Sequence, residues 1–126
     1  MKKSYRDLEI YQKAVQLSTG IHNLSLKFPK FEMYEEGSQI RRASKSIAAN
    51  IVEGFGRRRY KQEFIRFLFY ALASCDETRA HLEMLFKTQS LKDRNDYLFF
   101  CREYDHLGRM LTNFIKTVTI NHKTGI

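Results

Sequence analysis

The residues with the clearest chemical potential in this chain are seven basic side chains that lie close to two aromatic residues, Phe55 and Tyr60. The basic residues are Arg41, Arg42, Lys45, Arg57, Arg58, Arg59 and Lys61. Guanidinium groups bind phosphates through paired hydrogen bonds, and aromatic rings beside them can stack on unpaired bases. This cluster predicts a nucleic-acid site. The alternative is a solvated turn whose charges meet only water.

Two rows of polar residues recur at intervals of three or four, each beside the apolar stripe of a predicted helix. The first row is Arg42, Ser46, Asn50 and Glu53, and the second is Glu63, Arg66, Tyr70, Ser74, Glu77 and His81. Residues at this spacing share a helix face. Unpaired buried polar groups are costly, so we expect a structural polar seam, hydrogen-bonded between helices or between subunits, that contains Ser46, Asn50, Glu53, Ser74 and Glu77. A binding pocket is the alternative.

The sequence contains few of the motifs that catalysis or metal binding would require. A di-metal site in a helical bundle needs two Glu-x-x-His pairs, and this sequence has one, Glu103 with His106, which is predicted to face solvent. Gly54-Phe55-Gly56 is not followed by the Lys-Ser or Lys-Thr of a phosphate-binding loop. Cys75 and Cys101 are far apart and fall on apolar stripes, which favours free thiols. The sequence therefore predicts no catalytic residues, no metal and no cofactor.

Positive charge is distributed unevenly along the chain. The 126 residues include 22 Lys and Arg against 14 Asp and Glu, a formal net charge of +8. Six of these eight excess charges lie in residues 38–66. An excess of positive charge attracts anionic partners, so the basic cluster lies where such a partner would be drawn.

Four long amphipathic patterns must position these side chains. Apolar residues recur every three or four positions over residues 7–27, 33–53, 60–88 and 93–118. Gly54 and Gly56 are expected to end the second helix through positive φ angles. Short connections between long helices make neighbours antiparallel. We therefore predict an all-α, antiparallel, up-down-up-down four-helix bundle that forms one domain, residues 1–118, with a frayed tail over 119–126.

The third predicted helix carries more apolar residues than one core requires. Beside its core stripe lies a belt formed by Ile65, Phe67, Phe69 and Leu72. A belt this broad is usually buried by another subunit. These four residues are therefore predicted to form the interface of a homo-oligomer.

No run of about 18 apolar residues is present, so we expect no membrane span.

Several motifs of the chain resemble a known protein family. They are Phe28-Pro29, Gln39-Ile40-Arg41-Arg42-Ala43, Ser46-Ile47-Ala48-Ala49-Asn50-Ile51-Val52-Glu53-Gly54, Glu63-Phe64-Ile65-Arg66-Phe67-Leu68 and Ala71-Leu72-Ala73-Ser74. Together they are similar to the bacterial four-helix-bundle proteins encoded by intervening sequences within 23S ribosomal RNA genes, also called the S23 ribosomal protein family. The likeness extends from Tyr5 through the fourth helix.

The resemblance implies an assembly more than an activity. It implies a closed homopentameric barrel and kinship with the accessory variability determinant of diversity-generating retroelements, a basic pentamer that looks like a partner of nucleic acid and reverse transcriptase. No catalytic residues are established for either group, so none are transferred to this chain.

The expected function is that of a non-enzymatic, homo-oligomeric, cytoplasmic protein that binds nucleic acid, and RNA in particular, through the basic cluster. The alternative is a scaffold that docks a partner protein and has no direct role on nucleic acid. A nuclease is a third hypothesis, but it lacks a suitable acid–base pair or metal cluster.

Overall fold

The computed structural model describes residues 4–121, and all regular structure in that range is helical. A single 3₁₀ turn, Tyr5–Asp7, precedes five α-helices. They are α1 (Glu9–Ser25), α2 (Lys30–Tyr34), α3 (Glu36–Gly56), α4 (Lys61–Lys87) and α5 (Arg94–Asn121). Four of the five are long, and these four correspond to the amphipathic patterns of the sequence.

The four long helices form an antiparallel bundle in which each helix packs against two others. α3 lies between α1 and α4, and α5 closes the bundle against α4 and α1. Ring contacts at both ends of the α4–α5 pair show that these two helices are antiparallel. Phe86 near the end of α4 stacks on Tyr97 near the start of α5, with ring centroids 4.1 Å apart. At the other end, Phe64 of α4 meets Phe114 of α5 edge to face at 5.9 Å. The predicted all-α, up-down-up-down four-helix bundle is confirmed.

One hydrophobic core runs between the four long helices. Each helix contributes its apolar stripe, and the inward residues that are at most 1% exposed include Ile21, Ile47, Leu68 and Leu111. Burying one such side chain stabilises a fold by about 1.5–3 kcal/mol. The buried apolar residues thus lie on one face of each long helix. No helix within residues 4–121 has the length and hydropathy to cross a lipid bilayer.

The second predicted helix, residues 33–53, is two helices in the structure. The chain breaks between α2 and α3 at Glu35, whose φ and ψ are −99° and −103°. Gly37 permits the break, because a Cβ atom at this position would lie 2.8 Å from the carbonyl oxygen of Glu32. Only glycine, which has no Cβ, allows so close an approach of backbone to backbone. The short helix α2 is therefore separate from α3 and packs against it at one end of the bundle.

The expectation that Gly54 and Gly56 end a helix through positive φ angles is wrong. Both lie within α3, which ends at Gly56, and no glycine in residues 4–121 has a positive φ. Gly54 is a packing residue instead. A Cβ atom there would lie 3.1 Å from Cβ of Phe67 and 3.3 Å from the carbonyl oxygen of Phe64. The missing side chain lets α3 and α4 approach closely just before the chain turns between them.

The fourth predicted helix extends beyond its apolar stripe. α5 begins at Arg94 and ends at Asn121, whereas the stripe predicted residues 93–118. Residues 119–121 of the predicted frayed tail are helical, and the hydroxyl of Thr119 donates a hydrogen bond to the carbonyl of Ile115 at 2.8 Å. The rest of the predicted tail, residues 122–126, lies outside the described residues.

Candidate nucleic-acid interface

The α3–α4 joint, residues 57–61, is a tight turn at one end of the bundle. Backbone hydrogen bonds from Arg57 N–H to the Gly54 carbonyl (3.0 Å) and from Tyr60 N–H to the Arg57 carbonyl (2.9 Å) fold it back on the end of α3. The helix α2 lies at the opposite end of α3, whose 21 residues span about 30 Å. The basic joint and α2 therefore occupy opposite ends of the molecule.

Two arginines of the joint are held by the structure around them. The guanidinium of Arg57 pairs with Glu53 one turn back on α3 and lies 4.6 Å from the ring centroid of Phe67. The guanidinium of Arg58 donates to the Phe55 carbonyl at 3.0 Å and lies 4.1 Å from the centroid of that residue's ring. These two side chains cover aromatic rings and close the end of α3. Glu53 reduces the net charge that Arg57 presents to solvent.

The other two cations of the joint are not neutralised in this way. Arg59 is exposed and Lys61 is half-buried, and neither pairs with a carboxylate within residues 4–121. Tyr60 stands between them with 64% of its surface exposed. The joint therefore presents two uncompensated positive charges on either side of an open aromatic ring.

The three remaining residues of the predicted basic cluster lie elsewhere on α3. Lys45 is twelve residues before Arg57, which along a helix is about 18 Å. Arg42 and Lys45 are exposed and form no ion pair in the described part of the chain. Arg41 instead ties helices together, because its guanidinium donates to the Ser25 hydroxyl at 2.9 Å and to the Met33 carbonyl at 2.8 Å. The predicted cluster thus divides into three parts. Four of its residues lie at the joint, Arg42 and Lys45 lie on an exposed face of α3, and Arg41 has a structural role.

The predicted polar seam makes no hydrogen bond between α3 and α4 through its own members in residues 4–121. Ser46 and Asn50 donate to carbonyls of α3 itself, at 3.0 and 2.9 Å. Glu53 pairs with Arg57, and Glu77 contacts His81 one turn along α4. The hydroxyl of Ser74 has no hydrogen bond in this range, although its carbonyl accepts one from Thr78. The side-chain contacts of the other four members are therefore local, and each joins residues four apart in the chain.

The polar contact that does join α3 to α4 was missed by the sequence analysis. His81, 14% exposed at its side chain, bonds through Nδ1 to the carboxylate of Glu36 on α3 and through Nε2 to Glu77 at 3.2 Å. The four-residue spacing of Glu77 and His81 predicted only the contact between these two residues within α4. Glu36 is 45 residues away in sequence, and only the antiparallel packing brings it close.

The four residues of the predicted apolar belt do not form one surface. Ile65 and Leu72 are half-buried and pack against the core. Phe67 faces the end of α3, where Arg57 covers it and Gly54 makes room for it. Phe69 alone is largely exposed, at 52%. The outer face of α4 gains a second exposed apolar residue further along, Met84, also at 52%.

The two cysteines are free thiols with different surroundings. Burial raises the pKa of Cys75 to about 12, and its thiol donates to the carbonyl of Tyr104 on α5 at 3.4 Å. Burial also raises the pKa of Cys101. Within residues 4–121 no group of three or more His, Cys, Asp or Glu side chains is placed to hold a metal ion. A protonated thiol is a poor nucleophile, and Cys75 is in addition fully buried.

Two exposed aromatic residues at the other end of the bundle were also missed. Phe31 and Tyr34 lie on α2 and are 69% and 70% exposed. The helix that carries them is fixed, because the Glu32 carboxylate accepts hydrogen bonds from the Ser90 hydroxyl and from the backbone N–H of Glu36. The three-residue spacing of the two rings was readable in the sequence, but their exposure depends on the break at residue 35.

The chain is similar in sequence and in fold to proteins of one family. A sequence model of the family described as 23S rRNA-intervening sequence protein matches residues 6–113. A solved structure from Bacteroides thetaiotaomicron VPI-5482, a protein with unknown function from the S23 ribosomal protein family, is 29% identical to the chain. The alignment covers 86% of this chain and 96% of that one, with a TM-score of 0.74. No curated protein matches the chain. The matched residues include the whole α3–α4 joint.

Proposed function

Because the chain belongs to the family of 23S rRNA-intervening sequence proteins, we propose that it is a non-enzymatic, homo-oligomeric protein that binds RNA through the α3–α4 joint. The observation that carries this proposal is the pair Arg59 and Lys61, which no carboxylate in residues 4–121 neutralises. Their charges are available to phosphate without breaking an existing ion pair. Arg58, whose guanidinium is already ordered against Phe55, adds positive potential at little further entropic cost.

Repetition of the joint strengthens this proposal. One copy offers few phosphate contacts, and its affinity alone would be low. In a homopentamer, which the family resemblance implies, five joints would act on one RNA, and linking weak contacts raises overall affinity by a factor of about 10²–10⁴. The exposed apolar residues Phe69 and Met84 on the outer face of α4 are the observation that favours self-association.

The proposal is tested by removing the two free cations of the joint. We expect the double variant Arg59→Ala/Lys61→Ala to bind a structured RNA at least about tenfold more weakly than the parent chain in a titration at fixed salt. Each lost phosphate contact lowers the slope of log affinity against log salt by about 0.7–0.9. The double variant is therefore expected to have a visibly shallower salt dependence.

The matched control is the double variant Lys92→Ala/Arg94→Ala. Both residues are exposed and lie near the α2 end of the bundle, and the change removes the same net charge. We expect this variant to keep the affinity and salt slope of the parent. Equal losses in both variants would mean that only total charge matters, and the absence of salt-sensitive binding by the parent chain would refute RNA binding.

A second candidate function, docking of a partner protein, is favoured by the two rings on α2. Large aromatic residues held on a fixed element are typical anchors of protein interfaces. Phe31 and Tyr34 are open to solvent, while Arg41 and Ser90 hold their helix in place. This function predicts a stoichiometric protein partner that survives nuclease treatment and is lost in Phe31→Ser/Tyr34→Ser. A partner that disappears with nuclease alone would contradict it.

A further inference from the structure

The side chain of Tyr60 is open to solvent although its backbone is fixed on both sides. Its N–H donates to the Arg57 carbonyl at 2.9 Å, and its own carbonyl accepts from the N–H of Phe64 at 3.0 Å. Tyr60 is the N-cap residue that precedes α4, with an extended backbone (φ −104°, ψ 103°). The ring is thus displayed from a rigid turn, with 64% of the residue exposed.

The other aromatic rings around the joint are already covered. Phe55 is 4% exposed and lies under the guanidinium of Arg58, at 4.1 Å. Phe67 lies under Arg57 at 4.6 Å and meets the ring of Tyr70 edge to face at 5.4 Å. No ring or guanidinium stacks on Tyr60 within residues 4–121. Of these rings, Tyr60 is the one whose faces are free to receive a ligand.

The charges beside this ring define the kind of ligand that fits. Arg59 and Lys61 flank Tyr60 in the chain and have no ion-pair partner in the described range. A ligand that satisfies both features has a flat aromatic group next to anionic groups. A nucleotide has this combination, since each base is followed by a phosphate. Base–aromatic stacking contributes about 1–3 kcal/mol per base.

We propose that Tyr60 is a stacking platform for an unpaired nucleotide, so that the α3–α4 joint selects single-stranded loops, bulges or ends of RNA over continuous duplex. This inference rests on the proposed RNA binding and adds the structural class of the RNA. In a duplex the faces of the bases are stacked on one another and cannot reach a side chain. Arg59 and Lys61 bind phosphates of either form, and the ring supplies the discrimination.

The first experiment compares Tyr60→Leu with Tyr60→Phe on two RNAs of equal length, a single strand and a blunt duplex. The Tyr60→Leu variant removes the ring, and we expect its affinity for the single strand to fall at least about fivefold while its affinity for the duplex stays unchanged. Tyr60→Phe keeps the ring and is the matched control, with both affinities within about twofold of the parent. Because Tyr60 is largely exposed, thermal unfolding of both variants is expected to match the parent.

A second measurement reports stacking directly. The chain has no tryptophan, so Tyr60→Trp introduces a single indole at the joint, whose fluorescence can be excited apart from that of the tyrosines. We expect its fluorescence to be quenched by the single-stranded RNA, because a base stacks on the indole, and to change little with the duplex. Equal quenching by both RNAs, or none with either, would overturn the inference.

The outcomes separate this inference from the function on which it rests. If the parent chain binds RNA with strong salt dependence but Tyr60→Leu binds the single strand normally, the platform is refuted and RNA binding stands. If the parent binds neither RNA, both proposals fail. If Tyr60→Leu changes the oligomeric state while binding per subunit is retained, the ring is a subunit contact, and the stacking role is refuted.

Discussion

Among residues 4–121, Tyr104 is the largest side chain that is fully buried, and its hydroxyl has no hydrogen-bond partner in this range. Burial raises the pKa of Tyr104, so the phenol is neutral at physiological pH. A buried hydroxyl without a partner costs about 1–3 kcal/mol. The ring itself fills core volume next to Cys75, whose thiol bonds to the Tyr104 carbonyl. At this position the ring stabilises the fold and the hydroxyl does not.

Replacing Tyr104 with Phe is therefore expected to leave stability unchanged or to raise it. The variant keeps the ring and removes the unpaired oxygen, so the free energy of unfolding should rise by 0 to about 2 kcal/mol. Urea denaturation followed by circular dichroism measures the change. Tyr104→Leu is the control for lost volume and should cost about 2 kcal/mol or more. A loss of over about 1 kcal/mol in Tyr104→Phe would show that the hydroxyl is hydrogen-bonded in solution.

At the scale of elements, the close approach of α3 and α4 positions the basic joint. Gly54 lies in the last turn of α3 and faces the first turns of α4, and Gly56 is the last residue of α3. A Cβ atom at Gly54 would lie 3.1 Å from Cβ of Phe67, whereas a Cβ at Gly56 would have no neighbour within 4 Å. The two glycines share a helix and differ in what surrounds them. Only Gly54 is required by packing.

This difference predicts opposite effects of the same substitution. Alanine is more favourable than glycine within a helix by up to about 1 kcal/mol, so Gly56→Ala should raise the free energy of unfolding by a few tenths to about 1 kcal/mol. Gly54→Ala has the same helical gain but must push apart two backbones, and we expect a net loss of about 1–3 kcal/mol. Denaturant unfolding of the pair measures both. Stabilisation by Gly54→Ala would contradict the close packing of α3 on α4.

In the molecule as a whole, the two proposed binding surfaces lie at opposite ends of one bundle. The joint presents Arg59, Tyr60 and Lys61, and α2 presents Phe31 and Tyr34 about 30 Å away along α3. The outer face of α4 lies between these ends. It carries Phe69 and Met84, which are exposed and are separated by four helical turns. Self-association through this side face would leave both ends open.

We therefore expect the chain to be a homo-oligomer whose assembly depends on the outer face of α4. Light scattering after size exclusion should give a mass several times 15.0 kDa, with five copies as the expectation from the family resemblance. Phe69→Ser/Met84→Ser should shift the mass towards that of one subunit while the helical circular dichroism is retained. Phe31→Ser/Tyr34→Ser, which removes two exposed rings from the α2 end, is the control and should leave the mass unchanged. A monomeric parent chain, or assembly unaffected by the α4 change, would contradict this expectation.

Apolar spacing in the sequence predicted the four long helices and their order in the bundle, but not the break at Glu35 that separates α2 from α3. Apolar spacing of three and four is a property of each helix alone, and short connections allow only antiparallel neighbours. Part of the site could also be predicted from the sequence, because Arg57, Arg58, Arg59 and Lys61 are close together in the chain. The pairing of Arg57 with Glu53 could also be predicted, because the two residues are four positions apart and lie on one helix face.

Tertiary structure decided which of these side chains remain free to act. Arg41 belonged to the predicted cluster, but Ser25 and Met33 occupy its guanidinium once α1, α2 and α3 meet. Phe55 and Tyr60 were equivalent candidates for stacking, and the fold buries the first and exposes the second. Neutralisation and burial depend on partners that other helices supply, and spacing along one helix does not contain them. At the α3–α4 joint, the basic cluster read from the sequence therefore leaves two unpaired cations and one open ring.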